Sequence, residues 1–423
     1  MSFYIKALFF AIPTFTFLII IEEMVANYRG IQINRAADVI SSLSSGLSNI
    51  IRDGIKFSFI ILSYAWLMNN IAIYKLEPIW IAVIVAFIIE DFAGYWIHRL
   101  NHRVNIFWNR HIIHHSSEEF NLSCALRQSI SNTFRFSAVF MIPAALLSIP
   151  PYFFVIIGPI HLFMQFWYHT QMIDKMGWLE YILVTPSHHR VHHAINAQYI
   201  DKNYSQIFIF WDKLFGTFQE ELINEKLIYG TLRPAHTYNP IIINFKHLWQ
   251  LMQDAWHADW FYDKLIIWFK PTGWRPSGVA KKYPIKVIDN PEDQEKYYIK
   301  SSQLLLGWAF IQLNITFFMM YHLFTILTYF ETTMVLLYSG FLIMNIFSYT
   351  SILDGRYYAL IGEYIKLGLG LYLLFIQDFT WYGLEGIFIK GFILYLCISL
   401  MLTYYFLKQK RLSSLKNNSH FSN

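Results

Sequence analysis

Residues 91–121 read DFAGYWIHRLNHRVNIFWNRHIIHHSSEEFN, and residues 185–194, TPSHHRVHHA, echo them. Eleven of the 16 histidines in the chain lie between His98 and His193, and eight of those form three boxes: His98 and His102; His111, His114 and His115; His189, His192 and His193. Residues three and four apart share a face of a helix, so each box can aim its imidazoles at one point. Neutral imidazole binds Fe, Zn, Cu and Ni well, and eight such groups are about twice what a single ion takes up. The count therefore predicts two metal ions. The competing reading is histidines clustered by chance on a surface or in a core. Spacings of H-x3-H, H-x2-H-H and H-x2-H-H in one chain weigh against it.

Just upstream of the first box, residues 78–97 form a near-continuous apolar run broken only by Glu90 and Asp91. The box is thus expected at the end of a membrane helix that continues out of the bilayer. Composition agrees: the 423-residue chain is 55% hydrophobic and 14% charged, whereas soluble domains carry about a quarter charged residues. The fold class expected is an all-α, polytopic integral membrane protein with a cytoplasmic helical cap that holds a histidine-ligated di-metal site.

Residues 1–75 are read as N-terminal membrane anchor helices. The run 3–24 is about long enough to span and has no small-residue cleavage site after it, and an apolar pattern runs from near Leu47 to Met68. Residues 76–300 are read as the catalytic domain. In it, residues 134–169, with Pro143, Pro150, Pro151 and Pro159, suit a re-entering hairpin, and 170–300 a membrane-hugging, tryptophan-rich cap. Residues 301–423 are read as a four-span bundle with a basic tail. Lys and Arg concentrate on the segments that carry the boxes, while the opposite loops hold Lys75 with Glu77, Glu331, Asp378 and Glu385, so the boxes and the C-terminus are expected on the cytoplasmic face. Two cysteines, Cys124 and Cys397, make no disulfide framework, and no basic stripe suggests nucleic acid.

The motifs EDFAGYWIHRLNH, FWNRHIIHHSSEEFNLSCALRQS, QFWYHT, TPSHHRVHHAIN, YIDKNY and WDKLFGTFQEE resemble the membrane fatty acid hydroxylase and sterol desaturase superfamily, whose three histidine boxes have this order and spacing. Within it they are similar to the alkylglycerol monooxygenase family and its bacterial members, from about Asp38 to the C-terminal membrane helices. The resemblance implies a di-iron centre that uses O2 to hydroxylate a lipid C–H bond, next to an ether oxygen, with tetrahydrobiopterin as reductant. The alternative within the superfamily is a fatty acid or sterol hydroxylase or desaturase fed by an electron-donor protein. No dinucleotide-binding, P-loop or haem-attachment motif is visible, so reducing equivalents are expected from outside the chain. From other classes, a metal transporter would need ligands within the spans, and a zinc hydrolase would use imidazoles equally well.

Further candidates surround the boxes. Asp91, an ionisable residue on the box face of a membrane helix, is expected to accept a hydrogen bond from a ligand imidazole. Glu118, Glu119 and Asn121 follow the second box and could serve the metals or a proton path, with solvated charge as the plainer reading. His169 and His188 are candidate additional ligands, while His161 reads as a packed histidine. Arg190 and Asp212 are expected to pair across the cap. A lipid chain should thread from the bilayer past Trp96 and the hairpin, with Ala144 and Ala145 lining its path, because each methylene moved into water costs about 0.8 kcal/mol.

Overall fold

The computed structural model describes residues 3–57 and 59–419, and almost all of its regular structure is helical. Among the described residues, six helices are long and apolar enough to cross a membrane, which fits a multi-pass membrane protein. The first is α1 (Phe3–Tyr28), after which α2 (Ala36–Gly54) turns inward. The apolar pattern expected to continue from Leu47 to Met68 is broken after Gly54. Arg52 there donates to the Ser129 and Asn132 carbonyls at 2.6 and 3.1 Å, and Lys56 takes a left-handed φ of 56°. Two residues, Phe59 and Ile60, then pair in parallel with Phe134 and Arg135, and a short α3 (Tyr64–Ile71) follows.

Helix α2 is therefore an internal strut rather than a lipid-facing anchor. Its serines Ser41, Ser42, Ser44, Ser45 and Ser48 are all buried, because small side chains let neighbouring backbones approach closely. At Gly46 an added Cβ would sit 3.2 Å from the Leu126 carbonyl oxygen, so the position admits no side chain without movement.

The second span, α4 (Ile79–Arg103), carries the first box near its end. A single turn, α5 (Asn105–Trp108), leads to another, α6 (Ile112–His115), which carries most of the second box. The re-entering hairpin forms as α7 (Ile142–Leu146) and α8 (Pro151–Phe166), both too short to span. Ala144 is sealed against Ala82, Ala86 and Ile89 of α4, and Ala145 against Leu67 and Ala138. Neither alanine lines an open path, contrary to expectation. An apolar cavity of about 410 Å³ lies instead between α1 and the first span of the C-terminal bundle, at Ile12, Pro13, Phe317 and Tyr321.

The cap comprises α9 (Pro186–His193), α10 (Phe210–Leu214), α11 (Pro240–His257), α12 (Phe261–Ile266) and α13 (Ser277–Lys282). The last four spans are α14 (Gln303–Ile326), α15 (Thr332–Leu353), α16 (Tyr358–Ile376) and α17 (Ile387–Ser419). Their interior holds a charged pair with 0% exposure on either side chain: Lys366 Nζ lies 2.9 Å from Glu363 Oε1, and it also donates to Ser399 Oγ and Asn345 Oδ1. Helix α2 joins this bundle to the boxes: Ser44 Oγ is 2.6 Å from the Tyr349 hydroxyl, and Asp38 binds Arg127 at 2.5 Å.

Candidate metal centre

Four pieces of chain meet where α4 leaves its apolar stretch. Helix α4 brings His98 and His102, the α5–α6 turn brings His111, His114 and His115, the end of α8 brings His169, and α9 brings His189, His192 and His193. Helix α9 is started by Pro186 at its first turn and by Thr185, whose side chain and backbone are both engaged by the residue three on, His188. That reciprocal cap satisfies donors that a short buried helix would otherwise leave bare.

The nine imidazoles form two groups. His98, His102, His111, His115 and His192 make one, His114, His169, His189 and His193 the other, and within each group one nitrogen per ring lies within 4.8 Å of all the others. The partition follows helix geometry. In the second box the i, i+4 pair His111/His115 enters the first group and His114 the second. In the third box the i, i+4 pair His189/His193 enters the second group and His192 the first. Residues four apart point the same way, and the remaining histidine of each box points to the neighbouring group.

In the second group His189 Nε2 is 2.8 Å from His169 Nε2 and 3.0 Å from His193 Nε2. His114 Nε2 stands 3.3 and 3.1 Å from His169 and His193. Tetrahedral nitrogen ligands about 2.1 Å from one ion stand about 3.4 Å apart, so these rings need open only slightly to enclose a cation. In the first group His98 Nε2 is 2.9 Å from His111 Nε2, while His102, His115 and His192 each have a buried Nε2 without a hydrogen-bond partner. Converging nitrogen lone pairs of this kind suit a divalent cation and no protein donor.

Backbone carbonyls set the tautomers. His98 Nδ1 donates to Tyr204 O at 2.7 Å, His192 Nδ1 to Lys202 O at 2.9 Å and His169 Nδ1 to Gln165 O at 3.0 Å, so that Nε2 of each ring is free to coordinate. Burial holds His111, His114, His115, His189, His192 and His193 well below the ordinary imidazole range, helped by neighbouring imidazoles. His169 is lowered to about 3 for the same first reason. They are thus neutral, the form that binds metal. Trp108 and Tyr204 pack against His102, with ring centroids 5.0 and 5.2 Å away, and Phe120 covers His193 at 5.2 Å.

The fatty acid hydroxylase family model matches residues 83–217, the segment that contains all nine histidines. Human alkylglycerol monooxygenase is 35% identical over 359 residues, 84% of this chain and 80% of that one. The Xenopus tropicalis alkylglycerol monooxygenase is 34% identical over 369 residues, 86% of this chain and 81% of that one. The chain belongs to the alkylglycerol monooxygenase family. The ornithine lipid hydroxylase OlsE of Rhizobium tropici is 31% identical over 141 residues, 33% of this chain and 43% of that one, a similarity limited to a smaller segment. No solved structure matches the chain.

Several expectations need correction. His188 stays out of both groups: its Nδ1 faces Thr185 N and Oγ1 at 3.4 Å. Asp91 touches no grouped histidine. It accepts from His161 Nε2 at 2.9 Å, from the backbone N–H of Ile207 and Phe208 and from Trp211 Nε1, which ties α4 to α8 and to the loop before α10. Glu118 accepts from Tyr297 N. Glu119 pairs with Arg35 at 2.8 Å and Lys296 at 2.7 Å. Asn121 bonds Ile33 O and Cys124 N. These three brace the loop after the second box against residues 33–35 and 296–297 rather than face the imidazoles. Arg190 pairs with Glu221 at 2.7 Å, not with Asp212, whose carboxylate instead accepts from Tyr204 N and Ser205 N.

Sequence reasoning missed the loop 201–204 as the holder of two histidines. Its signal was turn chemistry: Asp201 and Asn203 adopt left-handed φ values of 60° and 55°, a conformation these residue types tolerate best after glycine. The Asp38–Arg127 pair was also missed. Arg127 Nη1 donates to Ser116 Oγ at 2.8 Å and Asp38 accepts from Ser117 Oγ at 2.8 Å, so the pair clamps the residues just after the second box. A cavity of about 880 Å³ has Ile112 and Ser116 in its wall, with Arg233, Lys286 and Tyr297.

Proposed function

We propose that the chain hydroxylates the carbon next to the ether oxygen of an alkylglycerol-type lipid, using two iron ions held by the five-histidine and four-histidine groups. The observation that carries this reading is the convergence of nine imidazoles into two adjacent groups, in a member of a monooxygenase family whose chain also carries six spans. Iron bound there would supply the activation of O2 toward a C–H bond. The reaction balances as lipid, O2, two electrons and two protons giving hydroxylated lipid and water. Hydroxylation beside an ether oxygen makes a hemiacetal, which breaks into an aldehyde and the glycerol portion.

The chain's own residues prepare the site for this. The carbonyls of Gln165, Lys202 and Tyr204 orient three of the rings, and Trp108, Tyr204 and Phe120 wall the groups with apolar surface that limits water. The electrons come from tetrahydrobiopterin in this proposal, and the 880 Å³ cavity beside the second box is within the size range of small-molecule sites, about 300–1,000 Å³. The active site faces the cytoplasm, following the excess of Lys and Arg on the box-bearing segments.

The test is metal analysis of the purified protein together with O2 consumption on an alkylglycerol, with and without tetrahydrobiopterin. Two irons per chain and pterin-dependent release of aldehyde are expected. Zinc in place of iron, or turnover supported only by a reduced electron-transfer protein, would overturn the proposal.

A further inference from the structure

Helix α11 is apolar on its outer face as well as on its inner one, where Ile243 and Leu251 are buried, an unusual pattern for an element surrounded by water. Its inward face carries Asn244, His247 and Asp254, all buried. Asn244 Oδ1 accepts from Ser129 Oγ and Ile130 N at 3.0 and 2.9 Å, His247 Nε2 donates to Asn105 O at 2.9 Å, and Asp254 binds Arg275 at 2.7 Å. The opposite face carries Phe245, Trp249, Met252 and Trp256, spaced i, i+4, i+7 and i+11, with Trp249 60% and Trp256 80% exposed. Phe261 and Leu265 of α12 and Phe269 just after it continue the pattern and are exposed. An apolar face this continuous is covered in the working protein.

Two attachments say by what. At its start, Asn239 Nδ2 donates to Phe347 O and Ser351 Oγ at 2.9 and 2.7 Å, one turn from the end of the span α15. Beyond α12, the carbonyls of Lys270 and Trp268 accept from Asn105 N and Ile106 N at 3.0 and 2.9 Å, directly after the end of the span α4. The segment is thus fastened at both ends to the level where spans leave the bilayer, and α11, about 27 Å long at the usual helical rise, runs along that level. Cations lie among the rings: Lys264 Nζ reaches the Trp256 carbonyl at 3.3 Å, and Lys270 Nζ stands 5.5 Å from the Trp274 ring centroid. Tryptophan with lysine at one depth is the composition of the lipid headgroup region.

We infer that α11 and α12 lie in the plane of the membrane on the box side, with their aromatic face immersed in the lipid leaflet. The cap is then a monotopic membrane element in its own right. The helices take this position whichever lipid reacts and whichever metal is bound.

The test uses the full chain in phosphatidylcholine–phosphatidylglycerol vesicles, in a Cys397→Ser background, with an environment-sensitive fluorophore on Trp249→Cys, Met252→Cys or, as an exposed cap control, Asn224→Cys. Nitroxide-bearing lipids should remove most of the emission at 249 and 252 and little at 224, and aqueous iodide should do the reverse. Equal iodide quenching at 249, 252 and 224 would overturn the inference. So would protection of 249 and 252 from both quenchers together with disulfide cross-linking between two copies at 252, which would make a second chain the cover.

Discussion

His115 and His193 stack with ring centroids 4.2 Å apart and planes inclined by 20°, yet they belong to different histidine groups. The stacked pair is where the two groups meet. Replacing either should therefore damage one group first. His193→Ala is expected to lose one of two bound ions and all turnover while the protein stays in the membrane. Iron quantification on the purified variant checks this, and full metal content with near-normal activity would sink the two-group reading.

His169 and His188 were indistinguishable as sequence candidates and now predict opposite outcomes. His169→Ala should remove turnover and reduce bound metal. His188→Ala disturbs only the start of α9 and should keep its metal, at a stability cost of about 0.5–2 kcal/mol, the range for a lost helix cap. Metal content and thermal unfolding of the two variants, measured side by side, decide the matter.

Asp91→Asn keeps shape but replaces one acceptor oxygen with an NH2 donor, which then faces two of the donors His161 Nε2, Ile207 N, Phe208 N and Trp211 Nε1. Each donor left unsatisfied costs about 1–3 kcal/mol, and the loop that orients His98 and His192 loosens. Unfolding temperature is expected to fall together with activity, the latter by about 10 to 100-fold, as for other groups that hold metal ligands in place. An unchanged unfolding temperature would contradict the tethering role.

Inside the C-terminal bundle, Lys366→Met leaves Glu363 buried without its cation, with the Ser348 and Ser399 hydroxyls donating to it. That should destabilise the protein by about 3–5 kcal/mol, whereas Lys366→Met combined with Glu363→Leu should recover much of the loss. Unfolding in detergent, followed by tryptophan fluorescence, measures both.

Topology gives a further check. A tag in the cap near Asn290 should be reached from the cytoplasmic side, and a label at Lys75 only from the opposite side. Exposure of Lys75 on the cytoplasmic side would reverse the orientation argued from Lys and Arg.

Local periodicity made much of this protein legible in its sequence. Hydropathy runs marked the spans, since a span must be long and apolar whatever it packs against, but they also joined Leu47 to Met68, which the structure breaks after Gly54. The H-x3-H spacing placed His98 and His102 on one face for the same local reason. What the tertiary structure alone decided was pairing across distance. The split of adjacent histidines such as His114 and His115 between two groups, the recruitment of His169 and the dismissal of His188 depend on how α4, α6, α8 and α9 dock. So does the use of Asp91, Glu118, Glu119 and Asn121 as braces rather than as chemistry. Spacing along one helix determines which side chains point together, but not what they point at, because that partner lies tens of residues away and is brought there only by the packing of the whole chain.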